Sequence, residues 1–475
     1  MPIDGLGLSN KKENLLEWYP EVVVKAEMAD YSAVKGCMVI KPNAYSVWQE
    51  IQDYFNERLK KLNVRNAYFP LFIPESFFKK EAQHAEGFKP EVAWIESEEG
   101  SERLAIRPTS ETIIYDSYSK WIRTYRDLPF RLNQWANVVR FETKATRLFL
   151  RTREFLWQEG HCVYETKEEC DKETLIFLNE YEKICNELLA VPVIKGYKSE
   201  NEKFAGALYT LSIESIMPDG RSLQCGTSHN LGQDFAKSFG IEFLGKDEKK
   251  HLPWQNSWGI STRLIGAMVM VHGDDQGIIL PPRIAYNKAV IIPILFEDSK
   301  KEVLKTAVNI KKSLASLNPI LDDSEEHSPG WKFNNYELKG IPLRIEIGPK
   351  DLKKKEVMVV RRDNGKKISV KIKDIKKEIP KFLDEIQKSL FDNAKKSMDS
   401  LIINVKSWHE LEKAINSKKI AKAPWCNSTN CEKSLKEKLN TVKTILIPLS
   451  SDKISDKCAL CNSEAKVIAL FGKNY

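Results

Sequence analysis

VVRFETKATRLFLRTREF, residues 138 to 155, sets four arginines (Arg140, Arg147, Arg151, Arg153) and Lys144 among β-favouring apolar residues. The flanking runs NQWANVVRFE and FLWQEGHCVYET have the alternation and aromatic content of strands, so the stretch reads as the turn of an antiparallel pair. Arg151 and Arg153 alternate with apolar neighbours and could line one face of that hairpin. Two explanations for the guanidinium groups compete. They pair with nearby glutamates on a surface, or they clamp a phosphate, because their planar forks bind phosphate oxygens bidentately and stay charged at any relevant pH. No Walker A loop or dinucleotide fingerprint is present to hold phosphate elsewhere. Arg263, at the strand-to-helix step of SWGISTRLIGAM, adds a second basic element beside a helix N-terminus that favours anions.

Outward from this stretch the chain alternates helix and strand patterns. NAYSVWQEIQDYFNERLKKL (43–62) has helical apolar spacing, RNAYFPLFIPESFF reads as an extended strand interrupted by Pro70 and Pro74, and TSETIIYDSYSKWIRTY (109–125) reads as a helix. A helix is expected over 167–190, then short strands ending at LQCGTSHNLG, then the strand SWGIST running into a helix. This is an α+β pattern with an antiparallel sheet. After LPPRIAYNK the composition shifts to that of a small α/β domain, and a lysine-rich helix with a cysteine-bearing module closes the chain. The expected domains are 1–285, 286–382 and 383–475.

With 475 residues, 42% apolar, the chain is long enough for two to four domains and far from the composition of a disordered protein. Its net charge of +8 suits contact with a polyanion. The N-terminus has no basic-then-apolar leader pattern, and no apolar run of membrane-spanning length occurs, so a cytoplasmic protein without a membrane partner is expected. Five of the nine cysteines are scattered, as in a reducing compartment. The other four form Cys426-x4-Cys431 and Cys458-x2-Cys461, the paired spacing of a four-thiolate zinc site, or a chance cluster of reduced thiols. Four protein ligands would leave no open position, so such a zinc would be structural.

R-F-E at 140–142 with R-E-F at 153–155 resembles motif 2 of class II aminoacyl-tRNA synthetases; the strand around Pro70 resembles their motif 1, and SWGISTRLIGAM their motif 3. RPTSE (107–111), LWQEGH (156–161), EKFAGA (202–207), QCGTSHNLGQDF (224–235), HGDDQGIILPPR (272–283) and PGWKFNNYELKGIPLRIEIGPKD (329–351) together resemble the prolyl-tRNA synthetase family, in its archaeal and eukaryotic-like form with a C-terminal zinc module. The likeness runs from about residue 13 to Tyr475. It implies a homodimeric enzyme that activates L-proline with ATP and Mg²⁺ and passes it to tRNA(Pro). Arg140 and Arg263 would be catalytic, with Glu142, Arg151, Thr152, Phe155, Gln224, Thr227 and Ser261 also binding ATP. Phe155 would stack on adenine, with Arg263 on the other face. Thr109 and Glu111 would take the proline amine, and Arg140 its carboxylate; Trp157, His161, Phe204 and His229 would wall the ring. Trp331, Lys332, Arg344 and Glu346 would read the anticodon, with Arg361 and Arg362 near phosphates. Cys426, Cys431, Cys458 and Cys461 would hold Zn²⁺.

Two alternatives remain at this point. A threonyl-type synthetase would carry a metal at its amino acid, and no Cys-His-His set is offered here. A catalytically dead RNA-binding relative would not need Arg140, Glu142, Arg151 and Arg263 together. The spacing also bears on accuracy. Only 95 residues, 162 to 256, separate the motif 2 and motif 3 strands, too few for the large editing domain that bacterial-type relatives insert there. Discrimination against the smaller alanine then rests on the pocket, which limits it to roughly 10–200-fold. Alanine and cysteine should support measurable ATP–pyrophosphate exchange, and tRNA(Pro) mischarged with alanine should be deacylated no faster than its spontaneous rate when incubated with the enzyme.

Overall fold

The structure, a computed structural model, describes residues 7–82, 92–96, 100–141, 145–449 and 457–475. The expected antiparallel pair is its centre: Phe130–Val139 lies against Glu154–Tyr164, in register from Phe130 opposite Val163 to Val139 opposite Glu154. Trp254–Ser261 pairs with the far side of Glu154–Tyr164, followed in order by Ser222–Gly232, Tyr209–Ile216 and Ile194–Tyr197, all antiparallel. Arg65–Asn66 adds a short parallel edge to Phe130–Val139.

The period of two decides what each strand offers. Along Glu154–Tyr164 the odd positions Phe155, Trp157, Glu159 and His161 border a cavity on one face. On the other face the Gln158 side-chain amide is hydrogen-bonded to the Tyr181 hydroxyl at 2.5 Å, on the helix Lys167–Lys183, which a Thr166–Glu169 capping box starts. The fully buried Trp258 stacks on Phe177 of that helix, ring centroids 3.9 Å apart, and crosses the space above Gly160, where a Cβ would lie 2.0 Å from its ring. A bulge breaks the alternation in Ser222–Gly232, the register stepping from Gly226 to Gln224 past Cys225. That step brings Gln224 and Thr227, three residues apart, to the same cavity.

The second domain is a 5-stranded mixed sheet built from Ala289–Pro293, Ile320–Leu321, Leu343–Ile347, Glu356–Arg361 and Lys367–Lys371 around its own apolar core. It is held to the first by Arg362, which grips Asp274 with both terminal guanidinium nitrogens at 2.6 and 2.8 Å. The last strands, Ile402–Asn404, Ile420–Trp425, Val442–Pro448 and Val467–Lys473, do not form a separate body. Val442–Pro448 pairs with Ile194–Tyr197, so first-domain and C-terminal strands make one 11-stranded sheet.

One expectation changes. RNAYFPLFIPESFF is not one interrupted strand: it gives Arg65–Asn66, then Phe72–Pro74, and from Glu75 a helix to Ala82. Pro70 supplies no N–H to a ladder, and Glu75 places an acid in the first turn, where the helix dipole favours it. The helix Ile375–Ser400 runs on without a break from the second domain, its apolar face packing there at Ile379 and Leu383 and on the C-terminal strands at Met398. Because Trp258 is pinned by its stack, Gly160→Ala should destabilise the first domain by about 1–3 kcal/mol, visible as a fall of several degrees in its melting temperature.

Candidate active site

The open face of the antiparallel sheet frames a cavity of about 510 Å³, and Thr109, Glu111, Arg140, Phe155, Trp157, His161, Phe204, Gln224, Thr227, His229, Ser261 and Arg263 all line it. Thr109 and Glu111 stand at the start of the helix Glu111–Trp121, with the Thr109 hydroxyl hydrogen-bonded to the Glu111 carboxylate. Phe204 tilts over His229, ring centroids 4.8 Å apart, and the Thr210 hydroxyl fixes both: it meets Nδ1 of His229 at 2.9 Å and accepts from the Phe204 amide at 2.9 Å. Burial, with the nearby His161, pushes the His229 pKa down to about 3, so the ring is a neutral wall.

His161 is held by groups the sequence did not single out. Its Nε2 meets Glu159 at 3.1 Å and its Nδ1 the Tyr115 hydroxyl at 3.1 Å. Burial opposes charge on Glu159, yet hydrogen bonding and charge from His161, with Ser110 and Gln134, hold its carboxyl below the ordinary range. The result is a fixed buried anion beneath the cavity. Its signal was present in the sequence as an acid at an inward position of an otherwise aromatic strand.

A second cavity of about 460 Å³ adjoins the first and shares Arg140, Phe155, Gln224, Ser261 and Arg263 with it. Arg140 donates from Nε to the Pro108 carbonyl at 3.1 Å and lies over Phe155 and Trp157, 5.4 and 5.5 Å from their ring centres. Arg263 donates to the carbonyls of Leu150 at 3.1 Å and Gln224 at 3.4 Å. Its pKa is depressed, first by burial and then by the positive charges of Arg140 and Arg151. Three guanidinium groups therefore converge on one space. Arg151 and the buried Thr152 line the second cavity as well.

Arg151 and Arg153 do not share a hairpin face. Phe149 has a φ of 59°, the chain turns there, and 145–153 is a loop rather than a strand. Arg153 instead donates to the Lys35 carbonyl at 3.2 Å and lies over Phe141, while Arg147 lies over the Tyr475 ring at 5.7 Å. Glu142 lies outside the described residues. The second cavity also holds Lys198 and Glu214, paired at 2.6 Å, and Lys443 from the C-terminal module. These three lacked any motif in the sequence, because their meeting depends on strands far apart in the chain.

A family model described as tRNA synthetase class II core domain (G, H, P, S and T) matches residues 93–272, one described as anticodon binding domain matches 288–382, and one described as prolyl-tRNA synthetase, C-terminal matches 408–475. The chain is 47% identical over 467 residues to a protein of Clostridium novyi (strain NT) named proline–tRNA ligase, covering 98% of this chain and 97% of that protein. It belongs to the prolyl-tRNA synthetase family. A relative from Bacillus thuringiensis subsp. konkukian (strain 97-27), named proline–tRNA ligase 2, is 45% identical over 472 residues, 98% of each chain. The crystal structure of prolyl-tRNA synthetase from Cryptosporidium parvum complexed with halofuginone and AMPPNP aligns with a TM-score of 0.95 at 43% identity, covering 99% of this chain and 100% of that one.

In the domain of this prolyl-tRNA synthetase family member that matches anticodon-binding proteins, Trp331 stacks on His327 at 3.7 Å. Lys332 is buried and bound to the carbonyls of Asp322 at 3.0 Å and Ser324 at 2.5 Å, with Asp322 also its ion partner. Arg344 pairs with Glu346 at 2.8 Å and Glu337 at 2.6 Å, and Arg361 with Asp363 and Glu385. Arg362, spent on Asp274, closes the domain junction. At the far end, the sulfurs of Cys426, Cys431, Cys458 and Cys461 lie within 4.8 Å of one another.

The neutral histidines give the fold a pH dependence of known sign. Unfolded, His229 and His272 titrate near 6.5; folded, burial holds them at about 3 and about 4. The unfolded chain therefore takes up protons first as pH falls. Their contribution is complete above pH 6.5 and drains below it, by up to about 1.4 kcal/mol per pH unit for each group. Melting temperature should drop between about pH 7.5 and 5, and His272→Gln should flatten that drop when the variant is compared with wild type across the same range.

Proposed function

We propose that this chain is a proline–tRNA ligase which joins L-proline to ATP's α-phosphate in the paired cavities and then transfers it to the 3′-terminal adenosine of tRNA(Pro). The observation that carries this reading is the convergence of Arg140, Arg151 and Arg263 beside a cavity with a carboxylate at one end and aromatic walls. A cationic ring amine suits Glu111 and Thr109, and the apolar ring suits Trp157, Phe204 and neutral His229. Glu159 braces His161 from below. Arg140 stands between the two cavities, where one fork can serve the proline carboxylate and the α-phosphate.

A carboxylate oxygen of proline attacks the α-phosphorus, the bond to the bridging oxygen breaks, and pyrophosphate leaves with its electron pair. A ribose hydroxyl of the tRNA then attacks the carbonyl carbon of the adenylate, the bond to the phosphate oxygen breaks, and AMP leaves with the hydroxyl proton on its phosphate. Neither step uses a side-chain nucleophile. The chain contributes positioning and positive charge in a partly desolvated space, where charge acts most strongly. Phe155 presents a ring face to adenine; Thr152, Gln224, Thr227 and Ser261 border the nucleotide. Glu202 and Glu214, carboxylates facing that space, would hold Mg²⁺, whose charge would offset that of the phosphates.

The four thiols suit structural zinc. Cys431 and Cys458 sulfurs are 3.9 Å apart and Cys461 and Cys426 3.6 Å, close to the roughly 3.8 Å edge of a tetrahedron with Zn–S bonds of about 2.3 Å. The neighbouring Cys431 thiol and backbone N–H groups draw the Cys458 pKa down, toward the thiolate form a metal takes, while the same pairing pushes the Cys431 thiol up. A homodimer acting in the cytoplasm on tRNA(Pro) completes the reading; among the described residues no helix is long and apolar enough to cross a membrane.

Proline-dependent ATP–pyrophosphate exchange tests the function directly. Arg140→Ala should lower it by about a hundredfold or more with tRNA binding retained, and Arg140→Lys should also fail, since an ammonium cannot reproduce the planar fork; exchange within a few-fold of wild type would sink the assignment. Metal analysis of protein purified without chelator should find one zinc per chain, and Cys458→Ser should lower the melting temperature of the C-terminal module more than it lowers adenylation.

A further inference from the structure

We infer that Glu432 is a positioning residue for the amino-acid site: from a helix of the C-terminal module it holds the catalytic-domain loop that carries Glu202, Lys203 and Phe204 to the cavity wall. The inference rests on the reading of that cavity as the proline site.

Glu432 sits on the helix Thr429–Lys438 and is fully buried. Its two carboxylate oxygens are divided between two residues of one loop: Oε1 accepts from the Ser199 hydroxyl at 2.7 Å, and Oε2 from the Asn201 amide at 2.8 Å. Four residues on, along the same face of the helix, Lys436 reaches Glu202 at 2.7 Å, and Lys443 from the next strand takes the second oxygen of Glu202 at 3.0 Å. The helix is itself anchored, because Cys431 delivers its sulfur to the thiol cluster.

The clamped residue controls the turn. The carbonyl of Ser199 accepts from the amides of both Glu202 at 3.0 Å and Lys203 at 2.9 Å, and the next amide, that of Phe204, is tied to Thr210. Thr210 in turn orients His229. A connected run of hydrogen bonds and loop backbone thus leads from Glu432 to the two rings that meet in the cavity wall. Phe204 is in a loop, and apart from this support its ring is held by its contacts with His229 and Phe235. On the nucleotide side only Glu202 rides on this loop, and Lys436 and Lys443 hold it separately; Arg140, Phe155 and Arg263 stand on or beside sheet strands and need no such help. Loss of the clamp should therefore weaken the use of proline and spare that of ATP.

In Glu432→Gln one acceptor oxygen becomes an N–H group facing a donor on the loop, with shape preserved. Exchange kinetics should show the KM for proline raised about fivefold or more, the KM for ATP within about twofold, and the melting temperature within a few degrees of wild type. Ser199→Ala, on the catalytic side of the contact, should shift the KM for proline in the same direction. In the double variant the two shifts should fall short of their product, the signature of one shared interaction. A KM for proline within about twofold of wild type in both single variants overturns the inference, as does a parallel rise in both KM values. If Glu432→Gln fails to fold, Ser199→Ala decides alone by the same criteria. Absence of proline-dependent exchange in the wild-type enzyme would instead strike the site assignment on which the inference stands.

Discussion

Like charges repel, and the site depends on overcoming that repulsion. After burial, the positive charge of Arg140 is the largest influence on Arg263, and Arg151 adds to it. Such a cluster persists only where the backbone leaves the side chains no retreat. The sheet supplies this restraint: Arg140 follows the end of one strand, Arg263 the end of another, and carbonyl groups of Pro108, Leu150 and Gln224 fix their guanidinium planes. Repulsion among the three becomes attraction when polyanionic phosphate enters, and the attraction is already aimed. The aromatic wall and the neutral His229 matter because they add no charge of their own to the cavity, while Glu159 is engaged with His161.

The central fold was legible because its strands carry period-two patterns long enough to survive reading without a structure. Phe130–Val139 and Glu154–Tyr164 announced themselves, while Phe155, Trp157 and His161 were picked out through the family resemblance. Legibility failed where the backbone departs from a regular period. The positive φ at Phe149 puts Arg151 and Arg153 on different sides despite their alternation, and the Pro74–Glu75 step turns an apparent strand into a helix. The bulge at Cys225 leaves no mark on composition, yet it is what brings Gln224 and Thr227 to one cavity.

Chain length between partners set the second limit. Glu432 meets Ser199 across 233 residues, and Lys443 meets Glu202 across 241, so no local motif records either contact. The basic and acidic groups of the second domain show the same limit in reverse. Lys332, Arg344 and Arg362, which the family resemblance assigns to the anticodon and to phosphates, are engaged within the chain with Asp322, Glu346 and Asp274, so part of that domain's charge holds its loops and its junction together.

The continuity of the large sheet across the Ile447–Tyr197 pairing also has a meaning for solubility. Among the described residues, Ile194–Tyr197 is flanked on one side by a catalytic strand and on the other by the C-terminal module. Were that module lost, by proteolysis or by termination short of residue 442, the strand would become an open edge with unpaired backbone groups, the kind of surface that recruits strands from other molecules. The C-terminal strands therefore act as a seal on the catalytic sheet, and a shortened chain would meet its first difficulty in staying monodisperse, before any question of chemistry arises.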